Sequence, residues 1–409
     1  MKVLHVLEAI GGGTARHLVD LVEHRGDIDT VVAVPAHRSR EITDSTAVPI
    51  MRAFGADVRI IDMRRSKVSP VNVLAVHRLR RLIAEVRPDI VHLHSSVAGA
   101  LGRVAAAGSD AAVVWTPNGL ITSRGVVAVE RQLARVTDAV IAVSPSERDL
   151  AVELQTSHAD RTVVVPNGVD ARIEPSDEPD LRRMLNIPAN APLVGSIARL
   201  TPQKDIGTFV RACRQVARRH PSTHFVLIGD GPLGNQVDEL TVGWSHFHRV
   251  PFIHEARRIV NQFDVFTLTS RYEGAPYAPL EAMAARVPVV LTRVTGNCDE
   301  IIDGESGFLV ERGDAPAVAK RIGELLDSPV LAERIAQVGA ARVRSHFDVR
   351  RQVAETRRVY EAVLAGTVAD LTTGAADLPR PAFGHEPAGR RRTSERRLAS
   401  ERRAGGRSA

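Results

Sequence analysis

The sequence predicts an α/β protein built from two doubly wound domains that face a central cleft, and three observations carry that expectation. The chain has 409 residues, about twice what one hydrophobic core commonly serves. Short apolar runs rich in β-branched residues alternate with charged, helix-length segments, the rhythm of a parallel sheet covered on both faces. That rhythm breaks once, over 166–192, where Asn167-Gly168, several prolines and the acidic string Asp177, Glu178, Asp180 have the composition of a connector.

In the first half, strands are predicted over 3–7, 30–34, 58–61, 90–93, 112–115, 140–143 and 163–165. Residues 71–86 repeat apolar positions every three or four residues, with Arg78, Arg80, Arg81 and Glu85 on the other side, and so read as an amphipathic helix. After the connector the rhythm restarts with strands over 193–198, 225–228, 265–269 and 287–291 and helices over 206–219, 256–263 and 280–286. Two such halves place their strand carboxyl ends on a shared cleft, where open α/β sheets bind ligands.

Composition narrows the function. Hydrophobic residues at 44% and charged residues at 25% are those of an ordinary globular protein, which excludes global disorder. The net charge of +6 is matched by residues 390–409 alone, with eight Arg against Glu395 and Glu401. The folded part is therefore near neutral, and no nucleic-acid partner is expected of it. Residues 366–409 are expected to be a disordered, Arg-rich tail, a solvated extension with no fixed partner, the functional alternatives being contact with anionic membrane lipid or with nucleic acid. Cys213 and Cys298 make no disulfide framework and fit a reducing compartment. The apolar amino terminus is interrupted by His5 and Glu8 and meets three glycines at once, so it reads as a first strand rather than a signal. No stretch approaches the roughly 20 apolar residues of a spanning helix. The expected location is cytoplasmic, or at the inner face of the membrane.

The most informative stretch runs from Ser270 to Val290. A strand leads into a Gly/Pro loop carrying Glu273, and a helix follows that carries Glu281. Loop amides around Ala275 to Ala278, in the stretch Gly274, Ala275, Pro276, Tyr277 and Ala278, form with the positive helix end an anion site without a cation. Carboxylates beside such a site do not hold phosphate; their natural partners are sugar hydroxyls. Glu281 would then accept from a ribose diol and Glu273 from a hexose, the alternatives being a helix first-turn carboxylate and a surface charge. Arg199 and Lys204 follow the strand over 193–198 and can neutralise a diphosphate leaving group. Gly11, Gly12 and Gly13 follow the first strand without the spacing of a dinucleotide or P-loop motif, which leaves open a tight turn or a close approach by sugar or phosphate. His94 and His92 alternate onto one face of a strand. With no third ligand evident, His94 reads as a strand-end group that hydrogen-bonds substrate, and no metal site is expected. Asp27-Ile-Asp29 precedes the second strand and reads as a surface turn.

With these residues in hand, the chain resembles the GT-B retaining glycosyltransferases of glycosyltransferase family 4. Glu273 and Glu281, with seven residues between, match that family's paired-glutamate motif. The likeness extends through Ser270-Arg-Tyr-Glu-Gly, Pro288-Val-Val, Val165-Pro-Asn-Gly-Val-Asp170, Ile228-Gly-Asp-Gly-Pro232 and the glycine-rich start, roughly residues 1 to 365. The resemblance implies two Rossmann-like domains: 1–170 on the acceptor side, 171–192 as linker, 193–347 for the nucleotide sugar, and 348–365 as a closing helix that returns to the first domain. It implies that Arg199 and Lys204 bind the donor diphosphate, Glu281 the ribose and Glu273 the transferred sugar, with Gly12, Gly13, Gly229 and Gly231 among the donor-binding positions. A UDP- or GDP-linked sugar would pass to a glycan or lipid-linked acceptor, with retained anomeric configuration and with no metal or other cofactor. Two positions depart from the family pattern. Asn118 stands where a His usually helps hold the donor sugar, and Arg286 replaces a Gly at a helix end, which should alter the turn rather than the chemistry. The alternatives are a GT-B UDP-N-acetylglucosamine epimerase and a noncatalytic scaffold that uses the Arg-rich tail.

Overall fold

In both halves each strand is followed by a segment that returns the chain to the same end of the sheet, so neighbouring strands lie parallel. The computed structural model describes residues 1–8, 10–36, 46–65, 69–172 and 179–372. The first sheet holds β1 (Lys2–Leu7), β2 (Asp29–Val34), β3 (Asp57–Ile60), β4 (Ile90–His94), β5 (Ala112–Thr116), β6 (Ala139–Ala142) and β7 (Thr162–Val164), in the order β3-β2-β1-β4-β5-β6-β7. The second holds β8 (Leu193–Ile197), β9 (His224–Ile228), β10 (Phe247–Val250), β11 (Val265–Leu268), β12 (Val289–Thr292) and β13 (Phe308–Val310), in the order β10-β9-β8-β11-β12-β13. In both, the order reverses beside the first strand, which opens a crevice at the strand carboxyl ends.

Every strand read from the sequence is present, with its ends moved by a residue or two. Two short ones are additional. Phe247-His-Arg-Val250 lies at a sheet edge and has two polar residues between its apolar ends, and Phe308-Leu-Val310 has only three residues. The helix expected over 256–263 is instead two 3-10 turns, Ala256–Arg258 and Val260–Gln262. Eight residues are too few for helix cooperativity to override a break at Ile259. The helix expected over 280–286 begins earlier and runs Tyr277–Ala284. Pro276 at its N-cap and Pro279 in its first turn lack N–H groups that the start of a helix leaves unpaired in any case.

The chain crosses between the halves twice, side by side. Val169 N–H donates to Phe347 O at 2.8 Å and Val349 N–H to Val169 O at 3.1 Å. A Cβ on Gly168 would lie 2.6 Å from Val349 Cα, so only glycine lets the two crossings pack this closely. The helix Val349–Ala365 then lies against β5, β6 and the helix Gly12–Glu23 of the first half.

The connector and the tail both differ from expectation. Asp180 caps a short helix, Leu181–Met184, whose Leu181 joins Ile187 and Ala191 in the core of the second half, because a buried leucine gains more there than in solvent. Asp177 and Glu178 lie outside the described residues. Beyond residue 365, where the tail was expected to start, a further short helix, Val368–Leu371, packs Val368 beside Val359 and Tyr360. Residues 373–409, including Arg380 and the eight arginines of 390–409, lie outside the described residues. Among the described residues no helix is long and apolar enough to cross a membrane.

Candidate active site

The loops after β8 and β11 bring the predicted cation and carboxylate into direct contact. Lys204 Nζ donates to Glu273 Oε1 at 2.6 Å, and Ser270 Oγ donates to the same oxygen at 2.5 Å. Both side chains are largely enclosed, at 16% and 6% exposure, so the pair is far less screened than a surface bridge. Arg271 N–H donates to Gln203 O at 2.7 Å, and Thr269 Oγ donates to Lys204 O at 3.2 Å, which ties one loop to the other. Separate roles for Lys204 and Glu273 were legible from the sequence. Their pairing across 69 residues was not. Arg199 lies on the loop directly after β8. Gly229 and Gly231, on the loop after β9, pack so closely that a Cβ would meet Ala198 O at 2.1 Å and Leu200 O at 2.5 Å, and the need for glycine there is explained by that packing.

Glu281 lies in the second turn of the Tyr277–Ala284 helix. Its surroundings push the carboxyl up to about 7; burial is the largest cause, and Arg16 and Arg257 oppose it. Neither arginine was picked out from the sequence. Arg16 lies one turn into the helix after β1, where its Nη2 meets the buried Asp20 at 2.8 Å, and both arginines line a cavity of about 140 Å³ with His24, Asp170 and Glu255.

The first half supplies the opposite wall. Gly13 lies against the ring of Tyr277, and Gly12 opens the helix with φ 68. Asn118 and Gly119 face Gly274: a Cβ there would lie 3.4 Å from Gly119 Cα. Asn118 adopts a left-handed φ of 53, and its buried Nδ2 has no partner. Glu147, absent from the sequence reading, holds this loop by accepting from Gly119 N–H at 2.7 Å and Val143 N–H at 2.8 Å. Asn167, in the Val165–Asp170 motif, donates from Nδ2 to Ala275 O at 2.9 Å, and Ser146 Oγ donates to Asp299 Oδ1 at 2.9 Å. The loop of Gly274, Ala275 and Pro276, with Tyr277 and Ala278 in the first turn of the helix, is therefore held from both halves, and Pro276 provides that helix with no side-chain cap.

The expectation for His94 is corrected. It is fully buried, with no surface open to a substrate, because its ring turns inward onto those of β1 and β4. His5 Nδ1 and His94 Nε2 are 3.0 Å apart, and the His92 ring is bound by the Tyr360 hydroxyl at 2.6 Å and Thr116 Oγ at 2.7 Å. His5 is the third imidazole the sequence did not reveal. His5, His92 and His94 are, among the described residues, the one group of three metal-ligating side chains close enough to share an ion. Both ring nitrogens of His92 are already engaged, whereas the buried His94 Nδ1 has no hydrogen-bond partner.

Residues 11–172 match the family described as Glycosyltransferase Family 4, and residues 191–328 match that described as Glycosyl transferases group 1. The UDP-Gal:alpha-D-GlcNAc-diphosphoundecaprenol alpha-1,3-galactosyltransferase of Escherichia coli is 30% identical over 280 residues, which cover 62% of this chain and 70% of that protein. The chain belongs to glycosyltransferase family 4. Another relative of this family 4 glycosyltransferase is the glycogen synthase of Mycobacterium tuberculosis (strain CDC 1551 / Oshkosh), 30% identical over 302 residues that cover 68% of this chain and 70% of the synthase. HepE of Anabaena, whose crystal structure holds UDP and glucose, shares the GT-B fold with a TM-score of 0.76 at 21% identity, over 88% of this chain and 100% of HepE. These matches do not favour the epimerase or the scaffold.

Proposed function

We propose that this family 4 glycosyltransferase is a retaining, metal-independent hexosyltransferase. It moves a sugar from a UDP- or GDP-linked donor to a glycan or lipid-linked acceptor, in the synthesis of a cell-surface polysaccharide or glycolipid. The observation that carries the reading is the Lys204–Glu273 contact beside the uncapped start of the Tyr277–Ala284 helix. A diphosphate set on that helix start would draw Lys204 toward it, and Arg199 would add a second cation as the sugar–phosphate bond breaks. Glu273, released from Lys204, accepts from the hydroxyls of the transferred sugar, and Asn118 Nδ2 offers a donor from the facing wall. Glu281 accepts from the ribose. The leaving phosphate takes the acceptor proton on the same face, so the anomeric configuration is kept and no protein base is required. The Escherichia coli relative, named for UDP-Gal and a lipid diphosphate acceptor, supports the donor and acceptor classes.

The test begins with thermal stabilisation of the chain by UDP, GDP and ADP, because a ligand that binds only the folded state raises apparent stability. Release of the same nucleoside diphosphate from its sugar conjugate should then require an acceptor, and the product linkage should keep the donor's anomeric configuration by NMR. Ala at Arg199 or at Lys204 should lower turnover on the order of 10²-fold at saturating donor. Inverted product, or near-normal turnover in both variants, overturns the reading.

A further inference from the structure

Glu300 is a further carboxyl at this site, outside the Glu273 and Glu281 motif. It closes the short helix Thr295–Glu300, is 1% exposed, and neither of its carboxylate oxygens has a hydrogen-bond partner. A buried polar group with no partner costs about 1–3 kcal/mol, so its presence asks for a reason. Four charged groups face it. Glu273 comes from the loop after β11, Asp299 from its own helix, Lys204 from the loop after β8, and Arg342 from the helix Pro329–His346. Neither cation is free to pair with it. Lys204 is bound to Glu273, and Arg342 spends its guanidinium on backbone, donating from Nε to Glu300 O at 2.7 Å and from Nη2 to Asp299 O at 3.1 Å. Glu300 also lines a cavity of about 10 Å³ with Asn167, Ala275 and Asp299, large enough for one water and too small for a ligand. Burial, with Glu273 and Asp299 beside it, pushes the carboxyl well above the usual carboxylate range. When protonated, such a carboxyl is a hydrogen-bond donor.

The use for such a donor arises when the site fills. In the structure as it stands, Glu273 Oε1 is held by Lys204 and Ser270. A bound diphosphate competes for Lys204 and leaves Glu273 Oε1 short of one partner, while the Thr295–Glu300 helix is tied to Glu273 by Gly296 N–H donating to Glu273 O at 3.3 Å and both Glu300 carboxylate oxygens are uncommitted. We propose that Glu300 is a positioning residue for the sugar-binding carboxylate, donating a hydrogen bond to Glu273 once a donor diphosphate has drawn Lys204 away. The inference rests on the reading of Glu273 and Lys204 given under Proposed function. It requires no net proton transfer: the proton stays on Glu300 and the charge stays on Glu273. Two carboxyls that share one proton are a stable arrangement where two carboxylates are not.

The test uses infrared difference spectroscopy on the full chain, with Glu300→Gln as reference and Glu300→Met as a second reference should the Gln variant fail to fold. At pH 7 the wild type minus the reference should show the C=O band of a protonated carboxylic acid. That band should move to lower frequency on addition of UDP, or of GDP or ADP if one of those is the nucleotide that stabilises the chain, and the movement should vanish in Glu273→Gln. In turnover, kcat of the wild type should fall on the alkaline side as Glu300 loses its proton. Glu300→Gln, which keeps an N–H donor but does not titrate, should lack that fall, and Glu300→Met should lower kcat on the order of tenfold, the worth of one hydrogen bond. A missing band at pH 7, or a band unmoved by a nucleotide that stabilises the same sample, overturns the role of Glu300. If no nucleotide binds, or if Glu273→Gln turns over normally, the reading under Proposed function fails and this inference falls with it. If Glu273→Gln is impaired and the band test fails, Glu300 alone is misassigned.

Discussion

A Cβ built on Gly13 would lie 3.3 Å from Cδ2 of Tyr277, so the first turn of the helix after β1 rests directly on the first residue of the helix after β11. The contact joins the glycine-rich start of one half to the anion-ready helix start of the other. A larger side chain at Gly13 would push the two apart while each sheet kept its own core.

Gly13→Val should therefore lower turnover on the order of 10²-fold, the scale of a misplacement near 1 Å in a preorganised site. The melting temperature should change little. Steady-state kinetics and a thermal melt on the same preparation check it, and a variant with normal turnover would show that this contact does not set the geometry of the cleft.

The Glu281 carboxyl is pushed up to about 7, so if it holds the ribose as proposed, donor binding should depend on pH. Only the carboxylate accepts two hydrogen bonds from a ribose diol. Affinity for the nucleoside diphosphate should thus fall as pH drops below about 7, approaching tenfold per unit. Glu281→Gln should weaken binding by about 1.5–3 kcal/mol above pH 7, the range for hydrogen bonds to charged groups, and by less below it. Calorimetric titrations of the two proteins from pH 6 to 8 give the ratio, which cancels the titration of the nucleotide itself. The same group acts on stability with the opposite sign. Its folded pKa is raised, so the folded state binds more protons than the unfolded state between the ordinary carboxyl value and about 7, and its contribution to stability falls as pH rises through that window.

Four buried imidazoles act in the other direction. Burial drives His5 down to about 3 and His17 down to about 4, and His92 and His94 go well below the ordinary value as well. These rings stay neutral in the fold while the unfolded chain takes up protons near 6.5. Their contribution to stability is complete above pH 6.5 and is lost as the pH falls toward 4, at about 1.4 kcal/mol per unit for each ring. NMR titration of the ring protons should show the signals of His5, His17, His92 and His94 unmoved between pH 7.5 and 5.5, whereas an exposed ring shifts across that range. A midpoint near 6.5 for any of the four would place it in contact with solvent.

What the sequence disclosed and what it withheld divide along one physical line. Strand runs, the Glu273 and Glu281 spacing and the cations after β8 are local patterns, and each stands where it was read. The pairing of Lys204 with Glu273 and the grip of Asn167 on Ala275 join residues 69 and 108 apart, and no local period encodes them. His94 shows the same limit. Its position at a strand end was legible, but its inward turn depends on the β1–β4 register that sets His5 opposite His92. Arg286 was read as a break in the helix-end pattern. It keeps the usual cap by taking φ 59 itself, with Arg286 N–H donating to Met283 O at 3.1 Å and Val287 N–H to Ala282 O at 2.9 Å.

That cap makes a stability prediction. A left-handed conformation costs a non-glycine residue about 1–2 kcal/mol, partly offset by the greater unfolded-state entropy of glycine. Arg286→Gly should stabilise the fold by about 0.5–1 kcal/mol, read as a raised urea midpoint with an unchanged slope. A lowered midpoint would mean that the exposed Arg286 side chain makes a contact worth more than the strain.

The last prediction separates the packed end of the chain from the basic segment after it. All the candidate site residues lie before residue 301, and the last described helix, Val368–Leu371, sets Val368 beside Val359 and Tyr360 on the first sheet. Tyr360 in turn holds His92 through a 2.6 Å hydrogen bond. Truncation after Thr372 removes nine arginines and none of this packing, so melting temperature and turnover with a water-soluble acceptor should be unchanged. Truncation after Leu364 uncovers Val359 and Tyr360 and removes a buried valine, which should cost about 2–3 kcal/mol and lower the urea midpoint accordingly. Binding to vesicles of anionic lipid distinguishes a second role. If the basic segment holds the chain at a membrane, the Thr372 truncation loses vesicle binding while keeping turnover, and the binding of the full chain weakens with salt, because exposed charges are screened within about 10 Å at 0.1 M ionic strength. Equal stability of the two truncations would show that the Val368 contact contributes nothing to the fold.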